Sequence, residues 1–369
     1  MKISNEKYSH KLRYIGTPLS SFRCRIPAEE AKSLFPASMH TSYSRLEKYI
    51  TCNFSYFCEY ELKLKDNSPV KFGVVDVGVF MHRMLELSVR YTVGNPDASD
   101  EEIVAQINEE CRAYLEAMCR GSYAQISPRI THLANYLSLA CEKFVRKIRE
   151  EFAQSRFTPK DFEITIGRGA EIEPMRLRNE NGSVELRGKI DRVDTYEDGS
   201  GKVYIRVADY KTGSKKFDMK NIEAGKDLQM LLYLFSVCDN GHRRYGCELS
   251  PAGVLYVSVK PAAETVDLGV PVSEVAKNGN SGLFLNDGEI LGAMEEKLEG
   301  KFIPVKEGRG KKLSGNLIAA EEFDELKGKV IETVMLASDE LRSGKADADP
   351  CDGKACEYCK MKAVCRAKK

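Results

Sequence analysis

The chain has 369 residues, enough for two or three domains with a sizeable core. Its 42% apolar and 30% charged residues are ordinary for a soluble globular protein, and a net charge of +1 excludes a polycation, so any nucleic-acid contact must be a local basic surface. No apolar run approaches the ~18 residues that cross a bilayer, residues 1–20 are too polar for a signal peptide, and twelve cysteines in so long a chain point to metal binding in a reducing cytoplasm, not to a secreted disulfide scaffold.

Residues 1–40 contain Pro18, Pro27 and Pro36 and show no sustained period, which predicts an adaptor or the tail of a preceding domain. Residues 42–64 read as one helix, capped by Ser42 or Ser44, with Leu46, Tyr49, Ile50, Phe54, Phe57 and Tyr60 on an apolar stripe. A helix over 77–91 carries His82, Leu85 and Glu86; two more, over 101–118 and 130–152, complete a helical insertion spanning 67–160. From residue 161 the period becomes two. Residues 162–166 and 203–207 alternate, and the turn signal at 197–201 predicts a hairpin of 184–196 with 202–210. A helix over 221–237 and a strand over 253–259 complete a core ending near 265. Residues 266–316 are Gly-rich and predict a variable loop region, followed by a helix over 321–343 and a cysteine-rich end at 346–369.

Three polar signatures interrupt that core in fixed order: Gly188-Lys189-Ile190-Asp191-Arg192, Asp209-Tyr210-Lys211-Thr212-Gly213 and Gln229-Met230-Leu231-Leu232-Tyr233. Charges beside apolar runs cost desolvation energy unless they have a task. Asp209 and Lys211 are two apart in a strand and share a face. A turn centred on Gly199 sets Asp191 opposite Val207, next to Asp209 on that face, whereas a one-residue slip would remove it. Two carboxylates that close repel unless a cation lies between them, and oxygen ligands suit Mg²⁺ or Mn²⁺. A lysine beside the metal can activate a water and neutralise charge developing on a phosphate, an arrangement for phosphodiester hydrolysis. Gln229 and Tyr233 share a helical face and could hold the lysine, the water or the phosphate. The competing reading is a solvated hairpin with ordinary surface ion pairs. His82 is either a structural helical histidine or a further group at the metal.

Cys356, Cys359 and Cys365 follow the spacing C-x2-C-x5-C, one ligand short of a four-thiolate site. Cys351 and Cys52 are the candidates for the fourth. Zinc and unligated thiols are alternatives to a cluster. Cys24, Cys58, Cys111, Cys119, Cys141, Cys238 and Cys247 lack metal spacing and read as buried small apolar residues.

In order, Gly-x-x-x-His at 78–82, Gly-x-x-Asp-Arg, Asp-Tyr-Lys-Thr-Gly and Gln-x-x-x-Tyr resemble the RecB-type branch of the PD-(D/E)XK nuclease superfamily. The resemblance covers residues 40–369 and is greatest to the C-terminal nuclease domain of AddB-like members. It implies an α/β, restriction-endonuclease-like fold: a mixed central sheet flanked by helices, with a helical insertion and a C-terminal four-cysteine staple. It implies metal ligation by His82, Asp191, Asp209 and the Tyr210 carbonyl, with Lys211 catalytic and Gln229 and Tyr233 in the supporting motif. It also implies a structural [4Fe-4S] cluster on Cys52, Cys356, Cys359 and Cys365. Asn53 stands where the AddB pattern usually has proline.

Arg187, Lys189, Arg192, Lys211, Lys215, Lys216, Lys220 and Lys226 gather near the expected site, with Tyr204, Tyr210, Phe217 and Tyr233 between them. They either meet phosphate and bases or form a solvated face over packed rings. No base-reading motif is present, and Gly308-Arg309-Gly310-Lys311-Lys312 lacks the spacing and hydroxyl of a P-loop. By resemblance the chain is expected to be a metal-dependent DNA exonuclease domain acting on single-stranded ends in double-strand break resection, partnered by an AddA-like helicase–nuclease subunit. A CRISPR-associated four-cysteine nuclease in spacer acquisition and an inactive DNA-binding module are the alternatives.

Overall fold

A computed structural model describes residues 24–64, 74–118, 128–211, 215–259, 279–357 and 359–365. The expectations for residues 1–23, Cys119, Thr212 and Gly213 lie outside that range. Helix α1 (Ala28–Leu34) leads into strand β1 (Ser38–Ser42), which crosses the boundary expected at residue 40 and joins the main sheet. Ser42 then caps α2 (Tyr43–Thr51) by accepting from the Arg45 amide at 3.3 Å, and Tyr43, Leu46 and Tyr49 form its buried stripe.

The single helix expected over 42–64 is broken at Cys52. That residue is extended (φ −167°, ψ 114°) and bridges Pro350, before α3 (Asn53–Tyr56) and a π turn (Phe57–Glu61) resume. Its backbone is committed to the C-terminal segment, which a helical repeat cannot reveal. Among the described residues the insertion holds three helices, α4 (Val74–Gly94), α5 (Asp100–Met118) and α6 (Pro128–Gln154).

The sheet follows: β2 (Thr158–Ile166), β3 (Arg176–Asn179), β4 (Gly182–Glu197), β5 (Val203–Lys211), β6 (Leu249–Ser258), β7 (Ser281–Leu285) and, late in the chain, β10 (Leu317–Ile318). Its order is β1-β4-β5-β6-β7-β10, with β2 and β3 also on β4. β1–β4, β5–β6 and β7–β10 are parallel and the remaining pairs antiparallel, so the sheet is mixed. Between β5 and β6 lie α7 (Met219–Glu223), α8 (Gln229–Asn240) and α9 (His242–Tyr245), a crossover of the kind parallel strands require.

The helix expected over 221–237 is split, because Gly225 (φ +76°) and Asp227 (φ +56°) turn the chain. α8 therefore starts at Gln229, with the Leu228 amide donating to the Tyr43 hydroxyl at 2.7 Å. The loop expected over 266–316 holds β7, α10 (Gly288–Met294) and the ribbon β8 (Lys306–Glu307) with β9 (Leu313–Ser314). Leu283, Phe284 and Leu285 of β7 are core residues that Gly279, Gly282 and Gly288 dilute in sequence. Last comes α11 (Ala320–Arg342), close to expectation.

The two ends of the described chain are laced together. Ile26 N donates to Gly344 O (2.8 Å), Ala346 N to Cys24 O (2.9 Å), Phe54 N to Asp347 O (2.9 Å) and Cys351 N to Thr51 O (3.0 Å).

Candidate active site

The site forms where β4 changes partners. Its first part pairs with β1 and β3, ending at Ser42–Arg187; its second part pairs with β2 and β5, and the β5 ladder stops at Arg192–Ala208. Gly188 to Asp191 occupy the changeover. The observed hairpin register is shifted by two residues from the expected one: Val207 faces Val193, not Asp191. The cause is the turn. Asp198 accepts from Ser200 N (2.8 Å) and Lys202 N (3.0 Å), and Gly201 (φ +85°) closes a loop centred on Ser200. A shift of two preserves the face, so one further step of this register sets Asp191 across from Asp209.

Beyond that ladder the Tyr210 amide donates to Asp191 Oδ2 at 2.9 Å, a side chain replacing the missing strand partner. The same oxygen lies 3.1 Å from Nδ1 of His82, carried in from α4. The bond to Asp191 raises the His82 pKa despite burial, with the Asp209 charge adding to it. Asp209 is only 7% exposed. Burial raises its pKa, and the Asp191 charge raises it further against the pull of Lys211 and His82. The Lys211 ammonium is 2.5 Å from Asp209 Oδ2, yet that oxygen is buried without an aligned hydrogen-bond donor. The contact is an ion pair out of line with the lone pairs.

Gln229 and Tyr233 do not reach Lys211 among the contacts observed. Gln229 Nε2 donates to the Tyr233 hydroxyl at 2.8 Å, and that hydroxyl accepts from the Lys189 amide at 3.4 Å. The tyrosine ring lies on Gly188, where an added Cβ would stand 2.3 Å from a ring carbon. The pair thus braces β4 two to three residues before Asp191. A glycine in the interior of a strand was the sequence signal for that close approach.

The basic cluster is corrected in two ways. Arg192 is fully buried and cannot touch DNA. With Asp194, Arg206 and Glu151 it forms a closed ionic quartet: Asp194 Oδ1 is 2.9 Å from Arg192 Nε, Asp194 Oδ2 2.7 Å from Arg206 Nη2, and Glu151 Oε1 2.9 Å from Arg206 Nη2. Burial opposes the Arg192 charge, but Asp194 heads the neighbours that hold it protonated. Sequence reading missed this quartet, although Arg192 and Asp194, two apart on one face of β4, were its signal. Tyr204, Tyr210, Phe217 and Tyr233 are all buried, so they pack and do not offer stacking faces. Lys215 pairs with Asp227 (2.8 Å) and Lys226 with Asp352 (2.5 Å).

A cleft of about 550 Å³ opens over the site between His82, Arg83, Glu86, Glu163, Lys189 and Asp191. Among the described residues no three His, Cys, Asp or Glu side chains are gathered into a metal-coordinating shell; Lys211 lies on Asp209 and His82 on Asp191. Cys52, Cys359 and Cys365 pack on one small apolar nucleus of Phe54, Cys58 and Met361. The Cys356 carbonyl accepts from the Cys359 amide at 3.4 Å. Burial raises the Cys52 pKa and lifts that of Cys58 to about 11.

A mixed sheet flanked by helices, with Asp191, Asp209 and Lys211 brought to one fork of adjacent strands, is a restriction-endonuclease-like arrangement. Residues 40–366 match the model of the PD-(D/E)XK nuclease superfamily, and the chain belongs to that superfamily. It is similar to the B-type component of the ATP-dependent helicase/deoxyribonuclease of a Thermoanaerobacter species, 30% identical over 360 residues, covering 92% of this chain and 31% of the relative. The corresponding helicase/deoxyribonuclease components of Clostridium acetobutylicum (29% over 361 residues; 92% and 31%) and Clostridium perfringens (28% over 388 residues; 98% and 33%) are similar too. The chain thus spans about a third of the length of these relatives. No helix among the described residues is long and apolar enough to cross a membrane.

Proposed function

We propose that this chain is the nuclease part of an AddB-type helicase–nuclease component, hydrolysing DNA phosphodiester bonds as an exonuclease during double-strand break resection. One observation carries the reading: Asp191 and Asp209 meet at the β4–β5 fork, and Asp209 is buried with an oxygen no donor is aligned to. A hard divalent cation, Mg²⁺ or Mn²⁺, suits that donor set. His82, Asp191, Asp209 and the Tyr210 carbonyl would hold it, where it supplies Lewis acidity and an activated water. The chain's own groups do the remaining work. The Tyr210 amide fixes the Asp191 carboxylate. Lys211 turns from Asp209 to the attacking water and the phosphate, neutralising developing charge. Gln229 and Tyr233 keep Gly188–Asp191 in place.

The proposed substrate is single-stranded DNA at an end, read without sequence preference, and the proposed partner is an AddA-like protein supplying ATP-driven unwinding in the cytoplasm. The helicase/deoxyribonuclease names of the relatives favour break repair over CRISPR spacer acquisition, and the intact Asp191, Asp209 and Lys211 set disfavours an inactive module. Hydrolysis of labelled single-stranded DNA in Mn²⁺ by the chain, alone and with a helicase partner, tests the reading. Wild type should cleave and Asp209→Ala and Lys211→Ala should not; an inactive wild type in both settings refutes it.

Cys52, Cys356, Cys359 and Cys365 would hold a structural [4Fe-4S] cluster. Three of these thiols already share one apolar nucleus beside the laced ends, partly shielded from solvent. Anaerobically purified chain should contain iron and sulfide and lose both in Cys359→Ser, with thermal stability and DNA binding falling together. Retention of stability and binding after complete cluster removal contradicts the staple.

A further inference from the structure

We infer that a second cleft, on the far side of Lys189 from the carboxylates, binds the phosphates of the single strand next to the bond being cut. This rests on the nuclease reading and gives its substrate a path. The cleft measures about 720 Å³ and runs between the end of β1, the loop after β2 and the middle of β4. It shares Lys189 with the catalytic cleft, so the two lie side by side along β4. Their charges differ in sign. The catalytic cleft sets Lys189 and Arg83 against three carboxylates, Glu86, Glu163 and Asp191. The second sets Arg168, Arg187 and Lys189 against Glu185 alone.

Glu185 is already taken, since Arg168 binds it at 2.5 and 2.9 Å and Arg176 approaches at 3.3 Å. Arg187 has no carboxylate partner among the described residues. Arg187, Lys189 and Asp191 occupy alternate positions of β4 and leave it on one side. Arg187 and Lys189 are exposed, while Leu186 and Ile190, which flank the Arg187–Lys189 pair, are buried. Cations therefore stand about 7 and 13 Å along the strand from the metal-binding acid. That repeat suits successive phosphates of an extended nucleic acid. Lys189 now pairs with Glu163 and would exchange that carboxylate for phosphate.

Equilibrium binding of an oligothymidylate to the full chain in EDTA, across a salt series, tests this without hydrolysis. Arg187→Ala and Lys189→Ala should each weaken binding and each lower the salt slope by about 0.7, with unchanged thermal unfolding. Lys297→Ala, an exposed lysine outside both clefts, should leave affinity and slope alone. In Mn²⁺, a methylphosphonate one nucleotide from the cut should impair wild type but not Lys189→Ala, and one two nucleotides away should spare Arg187→Ala. Wild-type affinity and slope in both variants, or a slope lost only in Lys297→Ala, overturns the path. Failure of wild type to cleave in Mn²⁺ instead refutes the nuclease reading and leaves the binding result legible on its own.

Discussion

Neighbouring residues of the same two strands build two charged groups of opposite design. Arg192, Asp194, Arg206 and Glu151 are sealed, with two positive charges against two negative ones and guanidinium faces over the rings of Phe152, Tyr210 and Phe157. One residue earlier, Asp191 faces Asp209 across the fork, beside a cleft, with like charges adjacent. The sealed group holds the strands together. The open one is held in place by them at a cost in stability, which is a general mark of functional sites.

The largest effect should come from unbalancing the sealed group. Arg206→Met leaves Asp194 and Glu151 short of a partner and should destabilise the fold by about 3–5 kcal/mol in chemical denaturation. A loss below about 1 kcal/mol would mean that the quartet is not the brace. Gly188→Ala comes next, because its Cβ enters the Tyr233 ring. Overpacking of this kind costs about 1–3 kcal/mol and should displace Asp191 enough to abolish cleavage. Tyr233→Ala in the same chain should recover stability but not full activity.

The open site should respond in the opposite sense. Asp209→Asn removes a buried charge that burial and Asp191 disfavour, so the metal-free protein should gain about 0.5–2 kcal/mol while losing activity. Because the Asp209 pKa is raised, its ionised form weakens the fold at neutral pH. That penalty shrinks as pH falls through the folded value and is gone below the ordinary carboxylate range. His82 gives the smallest effect. Its pKa is raised by Asp191, so its contribution is full below about pH 6.5 and is lost as pH rises through the folded value. The difference in Tm between wild type and His82→Gln in chelator should shrink over that rise; a pH-independent difference would place the histidine's role in packing.

Much of the fork was legible in the sequence because strand parity is local. Asp209 and Lys211 share a face whatever surrounds them, and a two-residue register error left Asp191 on that face. What was not legible came from distant partners. Arg192 resembled a DNA contact because Glu151, which approaches it inside the fold, comes from a helix of the insertion. The break at Cys52 needs Pro350, and the start of α8 needs Tyr43. The strand at Ser281–Leu285 was masked by its glycines and by pairing that only the sheet supplies.

Mn²⁺-dependent thermal stability of wild type and Asp209→Asn, measured side by side with a chelator control, tests the central claim most directly. The open fork predicts that Asp209→Asn melts above wild type in chelator, that Mn²⁺ raises the wild-type Tm by mass action, and that it leaves the variant unmoved. An equal Mn²⁺ shift in both proteins, or a variant that melts below wild type without metal, would contradict it.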